Sequence, residues 1–140
     1  MRVGFGLVRT ATPEYLRFAA QFGATDIINS REVDPVEAIK ELTGDGVDMA
    51  LDSFGNADVL AGAVRVLRRG GTAVSIGLAP VGATAPIDIV DMIRGQKTLV
   101  GSYYGSVSPH ETFKKLVDYY LKGRIDIDSM LTRTYTLEQV

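Results

Sequence analysis

VDMALDSFG, residues 47–55, is the stretch that decides the fold, and Asn56 follows it directly. Its apolar run predicts a buried strand over Val47–Phe54, which Gly55 ends. Asn56 is a favoured N-cap residue, so a helix is predicted to begin there. Apolar residues at spacings of three and four carry that helix towards Gly70-Gly71: Leu60, Ala63, Val64 and Leu67. A strand followed at once by a helix is the repeating half of a βαβ unit, so this stretch indicates a parallel sheet.

The same alternation of strand and helix continues on both sides of this stretch. Further strands are predicted at Thr25–Asn29, Thr72–Leu78 and Thr98–Tyr104. Helices are predicted after the side-chain caps Thr12, Asp34 and Ser108, with a short one over Ile87–Arg94. We therefore expect an α/β fold, a mostly parallel sheet with helices on both faces, formed by one domain over residues 1–140.

The composition excludes several classes of function. The chain has 140 residues, 46% of them hydrophobic, with 15 basic and 17 acidic side chains. This near-balanced charge gives no footprint for nucleic acid or anionic lipid, so neither nucleic-acid nor membrane partners are expected. There is no cysteine, and His110 is the one histidine, which excludes thiolate catalysis and cysteine-ligated zinc. Because no membrane-spanning run or signal-peptide pattern is present, we expect a cytoplasmic protein.

Four groups of motifs carry a resemblance to a known family. They are Pro13-Glu14-Tyr15-Leu16 with Phe22-Gly23-Ala24-Thr25-Asp26-Ile27-Ile28-Asn29, Gly46-Val47-Asp48 with Asp52-Ser53-Phe54-Gly55-Asn56, Arg69-Gly70-Gly71-Thr72 with Ile76-Gly77-Leu78, and Leu99-Val100-Gly101-Ser102-Tyr103-Tyr104-Gly105-Ser106. In their order and spacing the chain resembles the cofactor-binding domain of zinc-type, medium-chain alcohol dehydrogenases, from about Thr10 to the end. The resemblance implies a Rossmann-like fold, an NAD(P) cofactor and an oxidoreductase.

The chain departs from that family in two respects. The family's domain opens with a strand and a G-x-G-x-x-G turn, which holds the pyrophosphate at a helix N-terminus. Here Gly4-Phe5-Gly6 supplies only G-x-G, Arg9 stands in place of the third glycine, and the usual first strand is lacking. The zinc-carrying catalytic domain is also missing, so no zinc is expected in this chain and a separate catalytic domain is an expected partner. With a helix-start pattern at Thr136–Gln139, we expect a domain truncated at both ends and not catalytic alone.

Arg9 and Thr10 are candidate residues for the adenosine end of the cofactor. The family usually places an acidic residue at the end of its second strand, where it binds the ribose, and Thr10 occupies the matching position. Thr10 beside Arg9 removes the repulsion of a 2′-phosphate and offers a cation, which favours NADP over NAD. The alternative is that Arg9 is a solvated charge at a strand end.

Five more candidates follow from the resemblance at the carboxyl ends of the later strands. Ser53 and Phe54 match positions that line the ribose and nicotinamide, and Leu78, Ser102 and Tyr104 match positions whose backbone faces the nicotinamide amide. Ligands of open α/β sheets bind at such strand ends. The alternative is that Phe54 and Tyr104 are aromatics that pack in the core or in loops, and the lack of a pyrophosphate turn favours it.

Other polar residues are expected to be structural. Asp48 and Asp52 are four apart on one strand, where an Asp near a strand end more often caps a turn than takes part in catalysis. Arg65, Arg68 and Arg69 have the spacing of a solvated helix C-terminus rather than of a phosphate clamp.

The missing first strand creates a problem of topology, since it is the central strand of the 3-2-1-4-5-6 order. Two facing edges would then expose unpaired amides. We expect Met1 to Val8 to move into the central position and give a five-stranded sheet; strand exchange with a second chain, or dependence on a partner, are alternatives. Thr98 to Tyr104 forms the far edge, and its apolar residues, together with the resemblance, predict a homodimer through that edge.

Two functions therefore compete. One is a partial NAD(P)-binding domain of an alcohol dehydrogenase-like oxidoreductase, which supports hydride transfer only with a catalytic domain. The other is a non-catalytic remnant that acts as a dimerising interaction or structural module.

Overall fold

The computed structural model of the chain describes residues 5–8 and 13–139, with residues 5–8 and 13–15 described by their backbone alone. The chain forms two compact units, the first ending at Ser102 and the second beginning at Tyr103. Elements of the first unit are β1 (Phe5–Val8), α1 (Pro13–Gln21), β2 (Asp26–Asn29), α2 (Pro35–Thr43), β3 (Val47–Asp52), α3 (Ala57–Arg65), β4 (Leu67–Ser75), α4 (Ile89–Gly95) and β5 (Thr98–Gly101). The prediction of a single domain over residues 1–140 stays a prediction.

The strands form two parallel sheets. β1 pairs with β2, and β3, β4 and β5 form a three-stranded sheet in that order. Among residues 5–8 and 13–139, no strand pairing joins the two sheets. The expected five-stranded sheet is therefore wrong: residues 5–8 pair with β2, but among the described residues they do not pair with β3 and so do not join the two sheets. The α/β fold with parallel strands flanked by helices is confirmed.

The core of the first unit connects β2 to the three-stranded sheet through α2. Ile28 of β2 packs with Val36 and Ile39 of α2 and with Val66, and Val47 and Ala50 of β3 pack against this cluster. A second cluster is formed by Val64, Leu67 and Ala73. The two clusters share Val47 and Ala50 as neighbours, so α2, α3 and the sheet bury one continuous apolar region.

The boundary between α3 and β4 differs from the prediction. The helix ends at Arg65 instead of at Gly70-Gly71, and β4 runs over Leu67–Ser75 instead of Thr72–Leu78. Leu67 is buried and lies opposite Val47 of β3, while Val66 accepts a backbone hydrogen bond from Val47 N at 2.9 Å. Strand pairing with β3 therefore overrides the helical spacing at Leu67.

The structure confirms two of the helix caps that the sequence predicts. Asp34 Oδ1 accepts from Val36 N and Glu37 N, and Asn56 Oδ1 accepts from Asp58 N and Val59 N, so both side-chain caps are confirmed. Thr12 lies outside the described residues.

Ser108 stands at the N-cap of α5 (Pro109–Leu121), but its side chain makes no capping hydrogen bond, so that part of the prediction is wrong. Only its backbone carbonyl takes part, accepting from Thr112 N at 3.1 Å. Besides α5, the second unit contains the short 3₁₀-helices Tyr104–Ser106, Asp128–Met130 and Leu137–Gln139. Within the described part of the chain, no helix combines the length and hydrophobicity that crossing a bilayer requires.

Candidate functional site

The carboxyl ends of β3, β4 and β5 lie side by side and in register. Asp52 is opposite Ser75, and Ser75 is opposite Gly101. Ser102 N donates to Ser75 O at 2.8 Å, so the β4–β5 pairing extends one residue further. Because the strands are parallel, the segments that follow them emerge at one edge of the sheet, where open α/β folds bind their ligands. Ser53 and Ser102, both predicted site residues, come directly after strands at this edge.

Asp52 fixes the turn that follows β3. Its side chain is 1% exposed, and Oδ1 accepts from Phe54 N at 2.9 Å and from Gly55 N at 3.2 Å. Its backbone carbonyl accepts from Ile76 N at 2.8 Å and from Gly77 N at 3.0 Å. One residue thus holds the segment after β3 and the segment after β4 with four hydrogen bonds.

Two glycines let these segments approach each other closely. A Cβ at Gly77 would lie 2.1 Å from Gly55 N and 2.6 Å from the carbonyl carbon of Phe54. A Cβ at Gly55, whose φ is +75°, would lie 2.6 Å from the carbonyl carbon of Leu78. Since real Cβ atoms do not come this close to backbone, only glycine fits at either position. Phe54 and Leu78, both predicted site residues, are therefore brought together.

Phe54 and Leu78 present apolar surface at this edge. Phe54 is 58% exposed and Leu78 is 75% exposed, so neither side chain is buried in the core. The core-packing alternative is therefore wrong for Phe54. A small cavity of about 70 Å³ beside the N-terminus of α3, lined by Asp52 and Asn56 among others, has room for a few ordered waters but not for an aromatic ring. A ring bound at this edge would therefore contact the exposed side chains rather than enter the sheet.

The remaining predicted site residues belong to the second unit or lie outside the described residues. Tyr104 belongs to the second unit, where it is largely exposed and its ring contacts that of Tyr103 edge-on at a centroid distance of 4.7 Å. Arg9 and Thr10 lie outside the described residues.

Asp48 and Asp52 do not act as a pair. Asp48 is exposed and bonds to the Arg68 guanidinium, with Nε at 2.6 Å, whereas Asp52 is buried at the other end of β3. Asp52 confirms the expectation that an Asp at a strand end caps the neighbouring turn, because its carboxylate accepts from the next amides.

Comparison with known proteins places this geometry in a family. Residues 7–122 match the sequence model of a family described as zinc-binding dehydrogenase. The chain belongs to the zinc-binding dehydrogenase family. It is 34% identical to sorbitol dehydrogenase of Bacillus subtilis, over 95% of this chain and 36% of that protein. Thus the chain spans about a third of the length of the curated relatives it matches.

Solved dehydrogenase structures have the same fold. A zinc-binding-domain alcohol dehydrogenase from Burkholderia ambifaria superposes with a TM-score of 0.86 at 38% identity, covering 91% of this chain and 34% of that one. A structure from Sinorhizobium meliloti, described as a zinc-binding dehydrogenase bound to NADP, gives 0.80 at 29% identity, covering 90% and 36%. The resemblance to the cofactor-binding domain of zinc-type alcohol dehydrogenases is confirmed.

The residues of this zinc-binding dehydrogenase chain do not fit a zinc site. The sequence has no cysteine, and His110 is its one histidine. Over residues 16–139, no three His, Asp or Glu side chains lie close enough together to share a metal ion. No step of the function proposed below involves a metal held by these residues.

Proposed function

We propose that this chain is a dinucleotide-binding domain of an alcohol dehydrogenase-like oxidoreductase, which supports hydride transfer only together with a catalytic domain. The observation that carries the proposal is the in-register edge of β3, β4 and β5, where Asp52 holds the turn that presents Phe54 next to Leu78. The proposed ligand is NAD(P), whose nicotinamide accepts or gives the hydride when it is bound.

The two ends of the dinucleotide would be held unequally. Ser53 and Phe54 are proposed to line the ribose and nicotinamide. The backbone of Leu78, Ser102 and Tyr104 is proposed to face the nicotinamide amide, and Arg9 and Thr10 are proposed to bind the adenosine end. Because the sequence has no G-x-G-x-x-G turn, the pyrophosphate lacks its usual backbone cradle, and we expect weak binding. The Arg9–Thr10 pair favours NADP, since a cation attracts the 2′-phosphate and no carboxylate repels it.

Titration of the protein with NADPH and NADH, followed by nicotinamide fluorescence and calorimetry, tests this proposal. We expect saturable binding in the millimolar range or tighter, with NADPH preferred. Phe54→Ala should weaken binding about tenfold, because the ring loses its apolar contact. Phe22→Ala is the matched control, since Phe22 is also partly exposed but follows α1, away from the strand ends. No signal with either nucleotide up to millimolar concentration would exclude the proposal.

We also propose that the protein is a homodimer through the edge Thr98 to Tyr104, of which β5 forms the strand. β5 pairs on one side with β4, and Leu99 and Val100 are partly exposed. Such an edge needs a cover, and a second copy would supply it. Light scattering coupled to size exclusion should give the mass of a dimer. Val100→Lys should shift it to the monomer, while Val81→Lys in an exposed loop should leave it unchanged.

The second candidate is a non-catalytic interaction module, which the missing pyrophosphate turn favours. It differs in its response to nucleotide. A ligand that binds only the folded state raises the melting temperature, so a rise with NADPH speaks for the first candidate and no rise for the second. The cytoplasmic location is likewise proposed, and fractionation of cells that express the protein would test it.

A further inference from the structure

A hollow of about 380 Å³ lies at the amino ends of β4 and β5, opposite the candidate cofactor edge. Leu67, the first residue of β4, forms its apolar wall, and six charged residues line the rest: Lys40, Arg65, Arg69, Asp88, Asp91 and Lys97. Leu67 lies opposite Val47 and Ser75 lies opposite Asp52, five residues further along β3, so the hollow is roughly 17 Å from the other edge of the sheet. We name it the basic hollow after its four cationic residues, Lys40, Arg65, Arg69 and Lys97.

The two carboxylates of the basic hollow already have partners. Asp88 Oδ1 caps α4 by accepting from Val90 N at 2.8 Å and Asp91 N at 3.0 Å. Asp91 Oδ2 accepts from Lys97 Nζ at 2.8 Å. Four cations and two carboxylates leave the lining with a charge of +2, in a chain whose net charge is −2. The lining of the hollow therefore carries a net positive charge, although the net charge of the whole chain is negative.

Lys97 is a buried cation with a donor to spare. Its side chain is 5% exposed, and Nζ donates to Asp91 Oδ2 and, at 3.1 Å, to Val64 O. An ammonium group has three N–H donors, so these two contacts leave one unused. Burying this ammonium group at the wall of the hollow costs desolvation free energy, which an ion pair on the protein surface does not cost.

Lys40, Arg65 and Arg69 have no side-chain partner within residues 16–139, whose side chains the structure describes. The helix dipole accounts for Lys40 in the last turn of α2 and for Arg65 at the end of α3. It does not account for Arg69, which lies on β4 and lines the same hollow. Its neighbour Arg68 bonds instead to Asp48. Of the three arginines expected at one helix end, only Arg65 lies there, because α3 ends at Arg65 and the other two lie on β4.

We propose that the basic hollow binds a small anion carrying two or more phosphate charges, at a site separate from the dinucleotide edge. Guanidinium groups pair with phosphate oxygens through two parallel hydrogen bonds, and Arg65 and Arg69 supply two such groups. Lys97, which Asp91 and Val64 O hold at the wall, supplies a further positive charge. A volume of about 380 Å³ is in the range of small-molecule sites.

Calorimetric titration with inorganic pyrophosphate at constant ionic strength tests this inference. We expect saturable binding of one anion per chain. Arg65→Gln and Arg69→Gln should each weaken it at least about tenfold, because each removes a charge-assisted hydrogen bond. Arg94→Gln is the matched control: it removes one positive charge from the last turn of α4, outside the lining, and should change the affinity less than about twofold.

Other arms separate this site from the alternatives. Phe54→Ala should bind pyrophosphate as the unaltered chain does, whether or not the chain binds a dinucleotide, since Phe54 lies at the opposite edge. Loss of pyrophosphate binding in that variant, or its persistence in both arginine variants, would place the anion elsewhere and overturn the inference. Citrate bound as tightly as pyrophosphate would overturn the assignment to phosphate. No heat with millimolar pyrophosphate would overturn the site as a whole.

Discussion

The two ends of the β3–β4–β5 sheet differ in the kind of group that they present: mainly backbone groups at one end and charged side chains at the other. At the carboxyl ends, backbone groups make the contacts: the amides of Phe54, Gly55, Ile76 and Gly77 all bond to Asp52, and two glycines pack backbone on backbone. At the amino ends, side-chain charges from four separate segments surround the basic hollow. The carboxyl end of the sheet is therefore held in a fixed backbone geometry, whereas the amino end presents a group of charged side chains.

This difference separates stability from binding. A substitution at the carboxyl end removes or displaces backbone contacts, so it should lower the free energy of unfolding. A substitution of an exposed cation at the amino end removes no protein contact, so it should change anion binding with little effect on stability. Three substitutions test this contrast, and their expected effects on the free energy of unfolding decrease in the order Gly77→Ala, Asp52→Ala, Lys97→Met.

Gly77→Ala should have the largest effect. Its Cβ would overlap Gly55 N at 2.1 Å, and both groups are backbone, so the segments after β3 and β4 must separate. We expect a loss of about 3 kcal/mol or more in the free energy of unfolding, measured by urea denaturation. Gly101→Ala is the matched control at the end of β5, where nothing lies within 4 Å of the added Cβ. Equal stability of the two variants would contradict the close packing.

Asp52→Ala should come second. The change leaves the amides of Phe54 and Gly55 without their acceptor in a buried turn, which should cost about 2–3 kcal/mol in the same measurement. Asp52→Asn keeps an acceptor oxygen and should recover most of the loss. Amide hydrogen exchange supplies a local readout: Phe54 and Gly55 should exchange faster in the alanine variant. Unchanged exchange there would show that the carboxylate does not hold the turn.

Lys97→Met should have the smallest effect of the three. It keeps the buried aliphatic part but removes the bonds to Asp91 and to Val64 O, and Asp91 is exposed enough to be solvated again. We expect a loss of about 1 kcal/mol. Arg69→Gln, which removes the same charge without a protein contact, should change the free energy of unfolding by less than about 0.5 kcal/mol. A larger loss for Arg69→Gln would remove the contrast between the two ends.

Local sequence signals predicted those features whose causes are local. The caps Asp34 and Asn56 and the strand that begins at Val47 depend on side chains and glycines within a few residues, so a pattern reveals them. The order of elements, and with it the neighbourhood of Ser53 and Ser102 at one edge, follows from strand–helix alternation.

The errors arose where distant segments compete. Spacing continued α3 through Leu67, but pairing with Val47 makes that residue the start of β4. Residues 5–8 were expected at the centre of one sheet, but they pair with β2 and the sheets stay apart over the described residues. Which strands pair with each other depends on segments that are far apart in the sequence, and hydrophobic periodicity gives no information about such pairs.

Residue spacing and turn chemistry were enough to predict the α/β class, the family and the residues that follow each parallel strand. Contacts between distant segments became visible only in the folded chain: Asp52 holds two loops at once, Gly55 and Gly77 meet, and one hollow is lined by Lys40, Arg65, Arg69 and Lys97. These residues are separated along the chain, and packing of helices on the sheet brings them together.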